Sequence, residues 1–297
     1  MVKRDFLKEF DADLARQGKS DLTQRGYLSD LGDYAAWVQE TYGETLNPAK
    51  ITREDIQAYL KHLSKVRKAK PATTNRKLAA LSAFCRWAVA AGILKADPAA
   101  GIKGAKQAKT SPKALDRAKL NRLLRKVQHS GRPLHSAIVT LLANTGIRVG
   151  ELCKLTLGDV EFKLRSGNLT VRSGKGEKFR ELPLNAEARR YLDEYIKVRP
   201  NPTVAGDDHL FIGQRGEAIT SSGVWRTLNK YAEQAEVGAI SPHTLRHTFA
   251  TLLLREGKVD LVTVADLLGH ENINTTAQYT RSTEADRRAA VEKLAQA

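Results

Sequence analysis

The chain has 297 residues, enough for two domains that each bury a core of their own. A formal charge of +16, with 28% charged and only 6% aromatic residues, points to a polyanion gripped along a duplex backbone rather than to bases stacked on rings. No apolar run approaches a membrane span and Met1-Val2-Lys3-Arg4 leads into charged residues, which excludes a membrane protein or a signal peptide and leaves a soluble, cytoplasmic one.

Residues from about Asp5 to Ala100 read as four helices and little else. Leu22, Tyr27, Leu31, Tyr34 and Trp37 recur at helical spacing before a break at Gly43 and Asn47-Pro48. Thr52 is placed to cap a helix carrying Ile56, Tyr59, Leu60 and Leu63. Asp55 supplies the aspartate form of a capping box, and Glu54 adds negative charge to the first turn. A basic run, Lys61, Lys65, Arg67, Lys68 and Lys70, leads into Pro71. The next helix carries Arg76 and Lys77 on one side and Leu78, Leu81, Phe84 and Ala88 on the other, and ends at Gly92. The first domain is therefore expected over residues 1–102, followed by an extended basic linker, 103–114, rich in Lys, Gly and Ala. Cys85, and later Cys153, sit in helical apolar patterns and read as buried thiols of a reducing compartment.

The second domain, 115–297, is mostly helical, with Ala137 to Ala143 a buried helix stopped by Gly146. Beyond Asp159 the period changes. Val160 and Phe162, Leu169 and Val171, then Phe179 and Leu182 are separated by Ser166-Gly167 and Gly174-Lys175-Gly176, which predicts three short antiparallel strands. Helical patterning returns from Glu187 to Val198 and continues to the end. The expected fold class is mainly α with a small three-stranded antiparallel sheet in the second domain, behind an N-terminal four-helix domain.

Several side chains then fall where they can bind a phosphate. Ser241 caps a helix with Pro242 at its first position, so His243 lies in a first turn, where free N–H groups and the helix dipole favour an anion and depress the imidazole pKa. Arg246 follows on the same face; Leu245, Phe249 and Leu252 lie on the other. Asp260 and Gly269 bound the next helix, and His270 falls just past its end. Asn272 is expected to cap a short helix ending at Tyr279. Arg148 and Glu151 open a helix after the Gly146 break, and Lys175 stands between glycines that allow close approach to a ligand. His243 and His247 are spaced as metal ligands also are, but no third ligand type falls on that face, so no metal or cofactor is expected and His247 reads as a structural neighbour.

Singly, each of these residues has an ordinary explanation as a packed, paired or solvated group. In order, Arg148 with Glu151, Lys175, His243-x-x-Arg246, His270 in Leu-Leu-Gly-His, and Tyr279 resemble the tyrosine recombinases (the integrase superfamily), most closely its two-domain, Xer-like bacterial members. Thr23-x-x-x-Tyr27-x-x-Asp30-Leu31 and Asn75-Arg76-Lys77-Leu78 extend the resemblance to the family's N-terminal core-binding domain, and so to nearly the whole chain.

The resemblance implies a nucleophilic Tyr279 that forms a 3′-phosphotyrosyl link. Arg148 and Arg246 would stabilise the phosphoryl oxygens, His243 and His270 would hydrogen-bond the phosphate, Lys175 would protonate the leaving 5′ oxygen, and Glu151 would support the site. It further implies double-stranded DNA with paired half-sites, nucleoid association, and a homotetramer on two sites docked through a helix after Ser282 or Thr283 that carries Ala290, Val291 and Leu294. A second recombinase or accessory protein is a further conceivable partner. Lys70, Thr74, Arg76 and Lys77, and then Arg215 and Arg226, are the candidate DNA contacts. A type IB topoisomerase-like activity and a non-catalytic DNA-binding regulator are the alternatives. The segment Glu271 to Arg281 departs from the housekeeping pattern, which leaves plasmid, phage and transposon roles open beside chromosome-dimer resolution.

Overall fold

The computed structural model describes residues 5–106, 114–172, 179–270 and 272–277. Lys175, Tyr279 and the expected docking helix lie outside the described residues. The chain divides into two compact units, Met1–Thr110 and Ser111–Ala297.

The first unit packs α1 (Phe6–Arg16), α2 (Asp21–Tyr42), α3 (Arg53–Lys65) and α4 (Pro71–Ala90), with a 3-10 turn at Pro48–Lys50 between α2 and α3. Local chemistry sets the helix ends. Asp5, Ser20 and Thr52 each accept a first-turn N–H; Thr52 and Asp55 form the reciprocal capping box; Pro71 begins α4; and Gly43 ends α2 in a left-handed conformation. Phe10, Leu14, Leu31, Tyr34, Ile56, Tyr59, Leu81 and Phe84 form the core. Leu22 is not part of it, being 80% exposed on the first turn of α2. Cys85 is a free, fully buried thiol whose burial pushes its pKa up to about 12.

Two of the expected DNA contacts are buried within this unit. Thr74 and Lys77 are buried in α4. Lys77 Nζ donates to Asp30 Oδ1 at 3.0 Å and to Asp33 Oδ2, while Thr74 leans back toward the Lys70 carbonyl. A lysine inside a core needs carboxylates at hand, and these two engage its charge. Arg76 is half-exposed but also committed, to the other oxygen of Asp30. Lys70, just before α4, is exposed.

The second unit contains α5 (Arg117–Gln128), α6 (Pro133–Thr145), α7 (Val149–Leu152), β1 (Val160–Phe162), β2 (Gly167–Arg172), β3 (Phe179–Pro183), α8 (Ala186–Lys197), α9 (Ser221–Gln234), α10 (Pro242–Arg255), α11 (Leu261–Leu268) and α12 (Asn274–Ala277). The described part of α12 thus begins two residues after Asn272. Its strands form one antiparallel sheet in the order β1-β2-β3, with Leu169 opposite both Val160 and Leu182, and Val171 opposite Arg180. The two-residue period turns Leu169, Val171 and Leu182 inward. Helix α6 is buried along almost its whole length, as its continuous apolar run requires. Among the described residues no helix is long and apolar enough to cross a membrane.

Candidate active site

The site is built around the C-terminal end of α11. A helix end leaves its last carbonyls without intrahelical partners and carries the negative end of the helix dipole. Here three consecutive carbonyls are each taken by a different guanidinium. Arg180 Nε donates to Leu267 O at 3.1 Å, Arg246 Nη2 to Leu268 O at 2.7 Å, and Arg148 Nη2 to Gly269 O at 3.1 Å.

Local sequence delivers each arginine. Gly146 ends α6 with φ +62°, and a Cβ there would lie 2.5 Å from the Phe249 ring, so only glycine allows the chain to turn that tightly against α10. The turn places Arg148 at the start of α7. Glu151, one turn on, accepts from the Arg148 backbone N–H at 2.9 Å and from its Nη1 at 2.8 Å. Arg148 keeps 45% of its side chain exposed. Arg246 is almost wholly buried, its Nη1 donating to Gly146 O at 2.7 Å. It comes from α10, which starts as expected with Ser241 as cap and Pro242 in the first turn.

His270 is the fourth member. Arg246 Nη2 lies 2.8 Å from its Nε2, and Nδ1 lies 2.7 Å from Thr276 Oγ1. A guanidinium only donates, so Nε2 accepts and Nδ1 carries the proton, which assigns the neutral tautomer. Burial, with the charges of Arg246 and Arg148, pulls its pKa down to about 4. His243, exposed in the first turn of α10, is also lowered, by burial and then by Arg246 and Arg148. His247 packs edge-on to it at 4.3 Å between ring centroids and is held at about 4 by burial first and His243 next. Three imidazoles are thereby kept neutral at physiological pH beside guanidinium groups. Among the described residues, no cluster of three His, Cys, Asp or Glu side chains is arranged to hold a metal ion.

Arg148, Glu151, Arg246 and His270 thus form one hydrogen-bonded assembly, with His243 within reach of the same two arginine charges. Arg215 and Arg226 are exposed, Arg226 on α9 and Arg215 in the loop before it. Sequence reasoning missed Arg180. Its Nη1 and Nη2 fork onto both oxygens of Glu151, at 3.1 and 2.8 Å. The strand period held the signal, because Arg180 shares the inward face with Leu182 and Val171, and an inward cation needs an anion to meet.

The phage integrase family profile matches residues 113–286, and that of a phage integrase N-terminal SAM-like domain matches residues 6–93. The chain is 34% identical over 290 residues to the tyrosine recombinase XerC of Neisseria gonorrhoeae, covering 95% of this chain and 93% of that one. It is 33% identical over 274 residues to the tyrosine recombinase XerD of Oceanobacillus iheyensis, covering 91% and 90%. A post-cleavage complex of the XerH site-specific recombinase with a palindromic difH substrate has the same fold, with a TM-score of 0.73 at 20% identity over 95% of this chain and 83% of that one.

Proposed function

Because the chain belongs to the phage integrase family, and within it to the Xer-type tyrosine recombinases, we propose that it cuts and rejoins duplex DNA at a specific site through a 3′-phosphotyrosyl intermediate. The observation that carries this reading is the convergence of Arg148 and Arg246 on the helix end that bears His270, nine residues before Tyr279.

In this reading the Tyr279 oxygen attacks phosphorus, the bond to the 5′ oxygen breaks, and a phosphotyrosyl bond forms at the 3′ end. The phenol proton passes to His243, whose lowered pKa leaves a ring lone pair available at neutral pH. Lys175 gives a proton to the departing 5′ oxygen. Arg148 and Arg246 stabilise the charge on the non-bridging oxygens. The ester conserves the bond energy, so a 5′ hydroxyl from a second strand reverses the step through a Holliday junction, with neither metal nor ATP required.

Exchange needs two sites held together, and we assign that task to a homotetramer docked through the segment after Thr283, with its Ala290, Val291 and Leu294. A groove of about 330 Å³ lined by Leu120, Phe249, Leu252, Leu253 and Leu267 in the second unit offers an apolar seat of matching chemistry. The test is incubation with nicked duplexes from DNA flanking the gene. Wild type should give a denaturant-resistant adduct without magnesium, Tyr279→Phe none, and truncation after Thr283 should still bind one site but fail to pair two. An adduct formed by Tyr279→Phe would remove Tyr279 as nucleophile. Supercoil relaxation with no strand exchange between sites would favour the topoisomerase alternative.

A further inference from the structure

We propose that Arg180 is a positioning residue for DNA cleavage: it clamps Glu151 to the end of α11 and so fixes the guanidinium of Arg148 where the scissile phosphate must bind. The inference rests on the reading of Arg148 and Tyr279 given above.

Arg180 makes three bonds in two directions, to the Leu267 carbonyl and to both oxygens of Glu151. Glu151 spends those same oxygens on Arg148, Oε1 on the guanidinium and Oε2 on the backbone N–H. One carboxylate is therefore shared by two guanidinium groups, each of which also holds a carbonyl of the same helix end. The side chains of Arg180 and Glu151 are only 15% and 14% exposed, against 45% for Arg148. The inner arginine thus organises and the outer one faces the ligand. A bidentate fork resists rotation in a way that a single contact does not.

Gly269 makes room for this clamp. Its φ is +64°, and a Cβ there would lie 2.9 Å from Arg180 Nη1. The glycine of Leu-Leu-Gly-His therefore both ends α11 and admits the Arg180 side chain. Arg180 also stands on the first strand after residues 173–178, the stretch in which Lys175 falls in the sequence. Its clamp consequently ties that strand to the helix end carrying His270. Burial pushes the Glu151 carboxyl up, but hydrogen bonds from Arg180 and then from the Arg148 backbone outweigh it and bring the group down to about 2. The Arg148 charge that Glu151 engages also acts on His243 and His270, and Arg246 bonds His270.

The experiment measures single-turnover cleavage of a nicked duplex, half-site affinity and melting temperature for wild type, Arg180→Gln, Arg180→Lys, Glu151→Gln, the Arg180→Gln/Glu151→Gln double variant and Tyr279→Phe. Arg180→Gln should cleave roughly 100-fold more slowly, the loss expected of a small misplacement, with half-site affinity kept. Arg180→Lys should recover only part of the rate, because it restores charge without the fork. The double variant should be no slower than Glu151→Gln alone, because Arg180 acts on Arg148 through Glu151. The Glu151 carboxyl, followed by NMR titration, should also return from about 2 toward 4.5 in Arg180→Gln. Wild-type rates in a folded Arg180→Gln, with Tyr279→Phe inactive, would overturn the clamp and leave the proposed function standing. An adduct from Tyr279→Phe would instead remove the reading beneath it. If Arg180→Gln melts too early to assay, Arg180→Lys decides, and a wild-type rate in that variant overturns the proposal.

Discussion

Each unit of the chain contains a network of buried or half-buried charges, and the two networks differ in what they leave over. In the first unit two cations, Arg76 and Lys77, meet two carboxylates, Asp30 and Asp33, between α2 and α4. That network balances itself. In the second unit the guanidinium groups of Arg148 and Arg180 share the single carboxylate of Glu151, while Arg246 donates to the Gly146 and Leu268 carbonyls and to His270. The histidines beside them have lowered pKa values, and among these described groups the cations outnumber the one carboxylate, with Arg148 reaching the surface. The comparison separates a network whose charges match one for one from one in which the described cations outnumber the carboxylate. Burial and ion pairing are common to both; residual charge distinguishes them.

The largest effect expected from this contrast is on chemistry. Arg148→Ala removes a charge-stabilising donor and should slow single-turnover cleavage by about 10²–10³-fold, with the fold intact. Lys77→Met should do the converse. It leaves one oxygen of the buried Asp30 without its donor, Arg76 holding the other, and should cost about 1–3 kcal/mol in urea unfolding, while the folded fraction cleaves at the wild-type rate. A folded Lys77→Met as slow as Arg148→Ala would erase the distinction between the networks. Repairing that core, by Lys77→Met with Asp30→Leu, should return most of the lost stability, since well-packed apolar groups commonly replace a buried pair without loss.

Titration gives the next, smaller effect. His247 and His270 stand at about 4 in the folded chain, against 6.5 for an ordinary imidazole. As pH falls from about 6.5 to about 4, the unfolded chain binds protons that the folded chain refuses, so stability drops through that window and levels off below it. Glu151 acts lower, its contribution being lost between about 4.5 and 2. Imidazole titration by NMR should place both histidine midpoints near 4. A midpoint above 6 for His270 would mean that Arg246 does not hold its Nε2 as an acceptor.

What the sequence made legible follows from where each signal is stored. Helix ends are local, and the caps at Thr52, Ser241 and Asp260 and the stops at Gly43, Gly146 and Gly269 were readable because one side chain or one missing Cβ decides each. The three strands were readable from their period. The pairing of Arg180 was not, because Glu151 lies 29 residues away on a helix and only the tertiary fold brings the two together. Lys77 misled for the same reason. Its place beside Arg76 made it a candidate DNA contact, whereas Asp30 and Asp33, more than forty positions earlier, bond it in the interior. Charge in a sequence says what a residue carries; only the fold says what already neutralises it.

That rule makes the smallest prediction the most discriminating. If self-balanced cations contribute little to an external polyanion, then among the surface candidates Lys70 and Arg226, both exposed, should contribute more to DNA affinity than Arg76, whose guanidinium is bound to the buried Asp30. Each phosphate contact adds roughly 0.9 to the slope of log affinity against log salt. Lys70→Ala and Arg226→Ala should therefore each lower the slope measured on a half-site by about 1, weakening binding alike across sequences, whereas Arg76→Ala should leave it nearly unchanged. An equal drop for Arg76→Ala would show that DNA competes successfully for a cation already paired with Asp30, and that the first network is less closed than its balanced charges imply.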